Sequence, residues 1–212
     1  MSETSRPTMD AAGWDQRYKD GQLPWDNGEP DHHLSGMLAK YGVKAGKALE
    51  LGSGTGTNSI WLAQMGFEVT GLDISPTAVE MAKEKAQTSG VKCNFQVKDF
   101  LKQSIKTTPF DFAYDRGCFH TLATHEERRL FVSRLAELLE DKGIWHSLIG
   151  STDGPPREVG PPRRSAQDIT SAIEPDFEIL ELSSFAFDQG DHSEARAWVL
   201  VAKKREVYGK AP

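Results

Sequence analysis

Lys47-Ala48-Leu49-Glu50-Leu51-Gly52-Ser53-Gly54-Thr55-Gly56-Thr57-Asn58 is the stretch on which the fold turns. Lys47 to Leu51 reads as a short buried strand, and it runs directly into alternating glycines. From Asn58 to Met65 the apolar residues Ile60, Leu62, Ala63 and Met65 then fall at helical spacing. Strand, glycine turn and helix in this order form the context a nucleotide-binding loop needs. Glycine there permits positive φ and lets a ligand come close to the backbone.

Further along, Phe67 to Leu72 reads as the next strand, and Ser75-Pro76 starts a helix with a good N-cap and a proline in its first turn. That helix runs to about Thr88 and stops before Gly90. Strands follow at Lys92 to Val97 and Phe110 to Asp115, then a helix from about Glu126 to Leu139 and a strand at Gly143 to Ile149. The β/α alternation predicts a parallel sheet with helices on both faces. A Gly/Pro-rich loop from Ser151 to Pro162 and a short helix from Ser165 to Ile173 come next. Phe177 to Phe185 and Ala195 to Lys203, separated by Asp188-Gln189-Gly190-Asp191, then read as a hairpin. The expected fold is α/β and Rossmann-like, a doubly wound, mostly parallel seven-stranded sheet ending in an antiparallel hairpin. Residues 1–45, polar and aromatic, read as a cap over the ligand edge. Residues 46–150 form the cofactor-binding core, and 151–212 the lid loop and hairpin of the same single domain.

Three strand ends carry groups that suit a nucleoside. The first offers Glu50, Gly52, Ser53, Gly54, Gly56 and Asn58. The second ends at Asp73, followed by Ile74, where a carboxylate can accept hydrogen bonds from ribose hydroxyls. The third ends at Asp99-Phe100, an acceptor for an adenine amino group and a ring to pack on the base. The dinucleotide fingerprint wants a glycine at position 57, where this chain has Thr57. A sulfonium nucleoside has no pyrophosphate to place there, and the expected cofactor is S-adenosyl-L-methionine.

From Trp14 to Arg116 the chain resembles the thiopurine methyltransferase group with its halide/thiol and tellurite-resistance relatives, members of the class I methyltransferases. The carriers are Trp14-Asp15-Gln16-Arg17-Tyr18, Gly21-Gln22-Leu23-Pro24-Trp25-Asp26, the glycine loop, Asp73, Asp99-Phe100 and Asp115-Arg116-Gly117. The resemblance implies that Trp14, Tyr18 and Trp25 close over the cofactor, that Asp115 belongs to its site and that Arg116 lies beside cofactor and substrate. Aromatic faces favour a sulfonium cation and keep water out. The chain departs from the thiopurine group in its regular Gly-x-Gly-x-Gly loop and in Cys118-Phe119-His120 after Arg116-Gly117.

Methyl transfer is an in-line displacement, so positioning supplies much of the rate and a base is optional. His120, just past the fourth strand, is the candidate base or substrate contact, with Arg116 as the orienting cation. Cys118 reads as a small core residue. Asp31-His32-His33 reads as surface, with no metal expected. Arg157, Arg163 and Arg164 flank prolines in the candidate lid.

The reading is a methyltransferase for a small, soft acceptor such as a thiol. The alternatives are a small-molecule O- or N-methyltransferase with His120 as base, a nicotinamide oxidoreductase and a non-catalytic nucleoside-binding module. A net charge of -6 with scattered basic residues argues against nucleic acid. The absence of an eighteen-residue apolar run argues against a membrane span. Two cysteines suit a reducing cytoplasm, and a monomer or weak homo-oligomer is expected.

Overall fold

The computed structural model describes residues 8–105, 109–154, 162–186 and 195–206. β1 (Lys47–Leu51), β2 (Glu68–Asp73), β3 (Cys93–Val97) and β4 (Phe110–Arg116) are parallel. β5 (Leu139–Gly150) is parallel to β4, and β6 (Phe177–Ala186) and β7 (Arg196–Lys204) complete one sheet of order β3-β2-β1-β4-β5-β7-β6. β7 lies antiparallel between β5 and β6. The order reverses at β1, so the C-terminal ends of β1 and β4 flank a topological switch point, where open α/β sheets bind ligands.

α3 (Thr57–Gln64) and α4 (Pro76–Thr88) follow β1 and β2, and α5 (His125–Leu138) and α6 (Ala166–Ile173) precede β5 and β6. Strand alternation sends Leu49, Leu51, Ala113 and Trp145 into a core beneath α5 and α6. Ala48, Phe112 and Tyr114 point to the other face, which packs against Leu62 of α3. Trp145 is fully buried and meets the rings of Phe119, Phe131 and Phe177 at 5.6, 5.9 and 5.6 Å. Ser75 caps α4 by accepting from the Ala78 N–H at 3.1 Å, with Pro76 behind it, as its sequence implies.

Two features differ from the sequence reading. β5 begins at Leu139, before the expected Gly143, because the buried Leu139 docks beside Phe110. The ladder then passes an irregularity at Lys142, whose φ is 65°. The cap contains two helices that periodicity did not mark, α1 (Ala11–Lys19) and α2 (His33–Lys40). α1 buries only Tyr18, so it carries almost no apolar stripe to read. A single 3-10 turn, Phe119–Thr121, follows β4. The Asp188–Asp191 turn, Arg157 and most of the candidate lid lie outside the described residues. Among the described residues no helix is long and apolar enough to cross a membrane.

Candidate functional site

The glycine loop is shaped by its neighbours as much as by a ligand. Gly56, the N-cap of α3, has φ 79°, and a Cβ there would stand 2.7 Å from the Phe95 ring and 3.0 Å from Ala82. Its glycine therefore serves close packing of loop on α4 and β3. Gly54, with φ 53°, faces the cap instead: a Cβ would stand 3.0 Å from the Tyr18 hydroxyl. Gly52 is exposed and lies against Cys118.

Asp73 ends β2 beneath this loop. One carboxylate oxygen accepts the Gly54 N–H at 2.8 Å and the other the Ser75 N–H at 2.9 Å. Burial pushes the Asp73 carboxyl up, while the Ser75 and Gly54 N–H groups pull it back. The carboxylate thus ties loop to strand. Ile74 beside it is half-buried. Asp99 ends the neighbouring edge, accepting from the Leu101 N–H and from Lys102 Nζ at 3.0 Å each.

Five residues expected at the ligand face stand behind it or beside it. Glu50 is 1% exposed, with its carboxyl accepting from Asn58 Nδ2 at 3.3 Å and from Ser59 Oγ. Asn58 is equally committed, since its Oδ1 accepts the Asp31 N–H at 2.8 Å. The Ser53 side chain is buried and turned toward Gly71. Phe100 packs into the core against Phe131, with ring centroids 4.9 Å apart, so its ring supports the sheet and not a base. Asp115 is fully buried, accepting from the Cys118 and Phe119 N–H groups at 3.1 and 3.0 Å and from Trp145 Nε1 at 3.0 Å. It braces the turn after β4, a role its spacing does not distinguish from ligand binding.

The cap lies over the glycine loop. Trp14 and Tyr18 meet Trp25 edge-on, with centroids 5.7 and 6.1 Å apart, and the Arg17 guanidinium lies 4.8 Å over the Trp25 ring. Burial, then the charge of Asp73, pushes the Tyr18 phenol up, although the Trp25 side chain hydrogen-bonds its hydroxyl. Tyr18 therefore stays protonated at neutral pH. Arg116, half-buried at the end of β4, donates to the Trp25 carbonyl at 3.3 Å and joins cap to sheet.

His120 lies between the ends of β4 and β5, where its Nδ1 accepts the Gly150 N–H at 2.8 Å. A ring nitrogen that accepts a backbone N–H carries no proton, so the neutral ring holds its proton on Nε2. Cys118 is half-buried beside Gly52. Burial and then the charges of Asp115, Asp73 and Asp99 push its thiol well up, which keeps it from acting as a thiolate. Arg164 is no lid residue: its guanidinium is buried and donates to the Leu122 and Arg163 carbonyls.

Sequence reasoning missed the carboxylates that hold the cap. Asp31, read as surface, is 6% exposed and accepts from Tyr114 Oη at 3.0 Å and from the His33 N–H at 3.0 Å, with His146 Nε2 at 3.6 Å. Asp31, His32 and His33 bring one possible metal-ligand atom each within 4.8 Å of one another, but Asp31 is already committed to these partners. Asp26 accepts from the hydroxyls of Thr55 and Thr57. Asp15 and Asp26 stood inside the quoted aromatic motifs, yet only long-range contact gives them a role.

Residues 48–143 match the family model described as a methyltransferase domain. A probable thiol methyltransferase of Arabidopsis thaliana is 32% identical over 167 residues, covering 75% of this chain and 70% of the relative. A solved structure from work on the conversion of a disulfide bond into a thioacetal group during echinomycin biosynthesis is 25% identical, with TM-score 0.78 and 92% of each chain covered. The magnesium protoporphyrin IX methyltransferase of Synechocystis PCC 6803, solved with bound S-adenosylmethionine, shares the fold at 18% identity. Its TM-score is 0.72, over 95% of this chain and all of that one.

Proposed function

Because the chain belongs to the class I S-adenosylmethionine-dependent methyltransferases, in the group of the halide and thiol methyltransferases, we propose that its acceptor is a small soft nucleophile, a thiol above all. The cofactor supplies a methyl group activated by a sulfonium, open to in-line displacement.

The residues at the switch point fit that cofactor. Gly52 and Gly54 leave backbone accessible where a side chain would intrude, and Asp73 stands ready for ribose hydroxyls. Asp99 and Ile74 flank the place of the base. Trp14, Tyr18 and Trp25 supply aromatic faces for the cation and exclude water. Arg116 orients cofactor or acceptor from the end of β4.

The observation that carries the soft-acceptor reading is the His120 hydrogen bond. With Nδ1 committed to the Gly150 N–H, that nitrogen is not at hand to take a proton from an acceptor. An alcohol or amine must shed a proton to a base, whereas a thiolate arrives without one. The Arabidopsis relative is named for thiols, and sulfur also figures in the echinomycin work.

The placement of the cofactor is tested on Asp73. Asp73→Ala should weaken S-adenosylmethionine binding, measured by calorimetry, by about 1–3 kcal/mol, the loss expected when buried hydroxyls lose a charged acceptor. Unchanged affinity in the folded variant would take Asp73 out of the site.

A further inference from the structure

We propose that Asp15 is a positioning residue for the cofactor: its carboxylate latches α1 onto the N-terminus of α4 and so sets the height of Trp14 and Tyr18 above the glycine loop. This rests on the placement of the cofactor against that loop.

Asp15 sits in the middle of α1 with its side chain 13% exposed. Oδ1 accepts both the Ser75 hydroxyl at 2.7 Å and the Thr77 N–H at 2.9 Å, while Oδ2 receives Lys19 Nζ at 2.7 Å. The Thr77 N–H is one of the first-turn amides that the helix itself leaves without a partner, and the end of a helix dipole favours a carboxylate. Ser75 already caps α4 through the Ala78 N–H, so α4 does not need Asp15 in order to form. What Asp15 fixes is α1. Trp14 precedes it and Tyr18 follows it by three residues, with the Tyr18 hydroxyl 3.0 Å from where a Gly54 Cβ would stand.

The rest of the strap is fastened in the same style. Thr8 donates to Glu127 at 2.9 Å and accepts the Ala123 N–H at 2.9 Å, at the start of α5. Asp26 receives the Thr55 and Thr57 hydroxyls at the start of α3. The segment thus crosses the ends of the strands and is held at the first turns of α5, α4 and α3. Asp15 is the central fastening and the one whose loss frees the aromatic helix while leaving the sheet untouched. Lys19, then Ser75 and Thr77, hold its carboxyl well below the usual carboxylate range, so the latch is charged at neutral pH.

The test compares Asp15→Ala, Asp15→Asn and Asp73→Ala with the parent protein by calorimetry with S-adenosylmethionine, steady-state kinetics and trypsin digestion without cofactor. Asp15→Ala is expected to raise Kd and KM for the cofactor by about tenfold or more, with kcat falling by less than KM rises. Cleavage after Arg17 and Lys19 should accelerate in the cofactor-free protein. Asp15→Asn keeps the size and one acceptor oxygen, so a rise of about threefold is expected, and it stands in if the alanine variant does not fold. Unchanged affinity and unchanged cleavage in a folded Asp15 variant, with Asp73→Ala weakened, would overturn the latch alone. Unchanged affinity in both would overturn the placement of the cofactor.

Discussion

Glu50 shows how one buried acid serves the site from behind. Its burial pushes the carboxyl up to about 8, against the pull of Ser59 and Asn58. A carboxyl whose folded value exceeds its unfolded value near ~4.3 binds protons more readily in the folded protein. Its contribution is therefore full below that unfolded value and is lost as pH rises toward about 8. Glu50→Gln removes the charge and keeps an acceptor. Chemical denaturation should show the variant gaining on the parent, on the order of a few kcal/mol, between pH ~5 and ~9. A stability difference that stays flat across that range would contradict the burial argument. At His120 the expectation is kinetic. With Nδ1 held by the Gly150 N–H, the proposed part of His120 is positional, so His120→Ala should cost about tenfold in kcat and leave the acidic limb of the pH–rate profile in place. A loss beyond about a hundredfold, with that limb gone, would restore His120 as a base.

Elements carry their own signals where the chain is locally consistent. α5 opens with Thr124 and Glu127, which cap each other: Thr124 Oγ1 accepts the Glu127 N–H at 3.1 Å, and Glu127 accepts the Thr124 N–H at 3.0 Å. Thr124→Ala should lower stability by about 1 kcal/mol in thermal or urea unfolding. It should also loosen the Thr8 end of the strap, which shares Glu127. No stability loss would deny the box its role. Elements of this kind were legible in the sequence, as were β1 with its loop, β2 ending at Asp73, and α4 with Ser75-Pro76, because capping and periodicity are local. α1 was not, since it is fixed by Asp15 reaching Ser75 across sixty residues and not by an apolar stripe. The same limit explains Phe100 and Asp115. Spacing put both at strand ends, but the face each side chain takes is settled by Phe131 and Trp145.

At the scale of the molecule, the doubly wound sheet brings the ends of β1, β2 and β4 to one edge, and the strap closes that edge with aromatic rings. In the proposed arrangement Gly52, Gly54 and Asp73 bind the cofactor, while Arg116, His120 and the ends of β4 and β5 choose the acceptor. Among the described residues near this edge, Asp115 is spent on the turn, Tyr18 and Cys118 stay protonated, and His120 Nδ1 is taken. These commitments suit the proposed acceptor, a thiolate, which needs no base.

The measurement that tests this most directly is a competition for labelled methyl groups from S-adenosylmethionine among matched small acceptors, thiol, alcohol and amine, at neutral pH. The account predicts kcat/KM for the thiol above that for the alcohol and the amine by about a hundredfold or more. Methylation of the alcohol or amine at a rate equal to or above that of the thiol would contradict it.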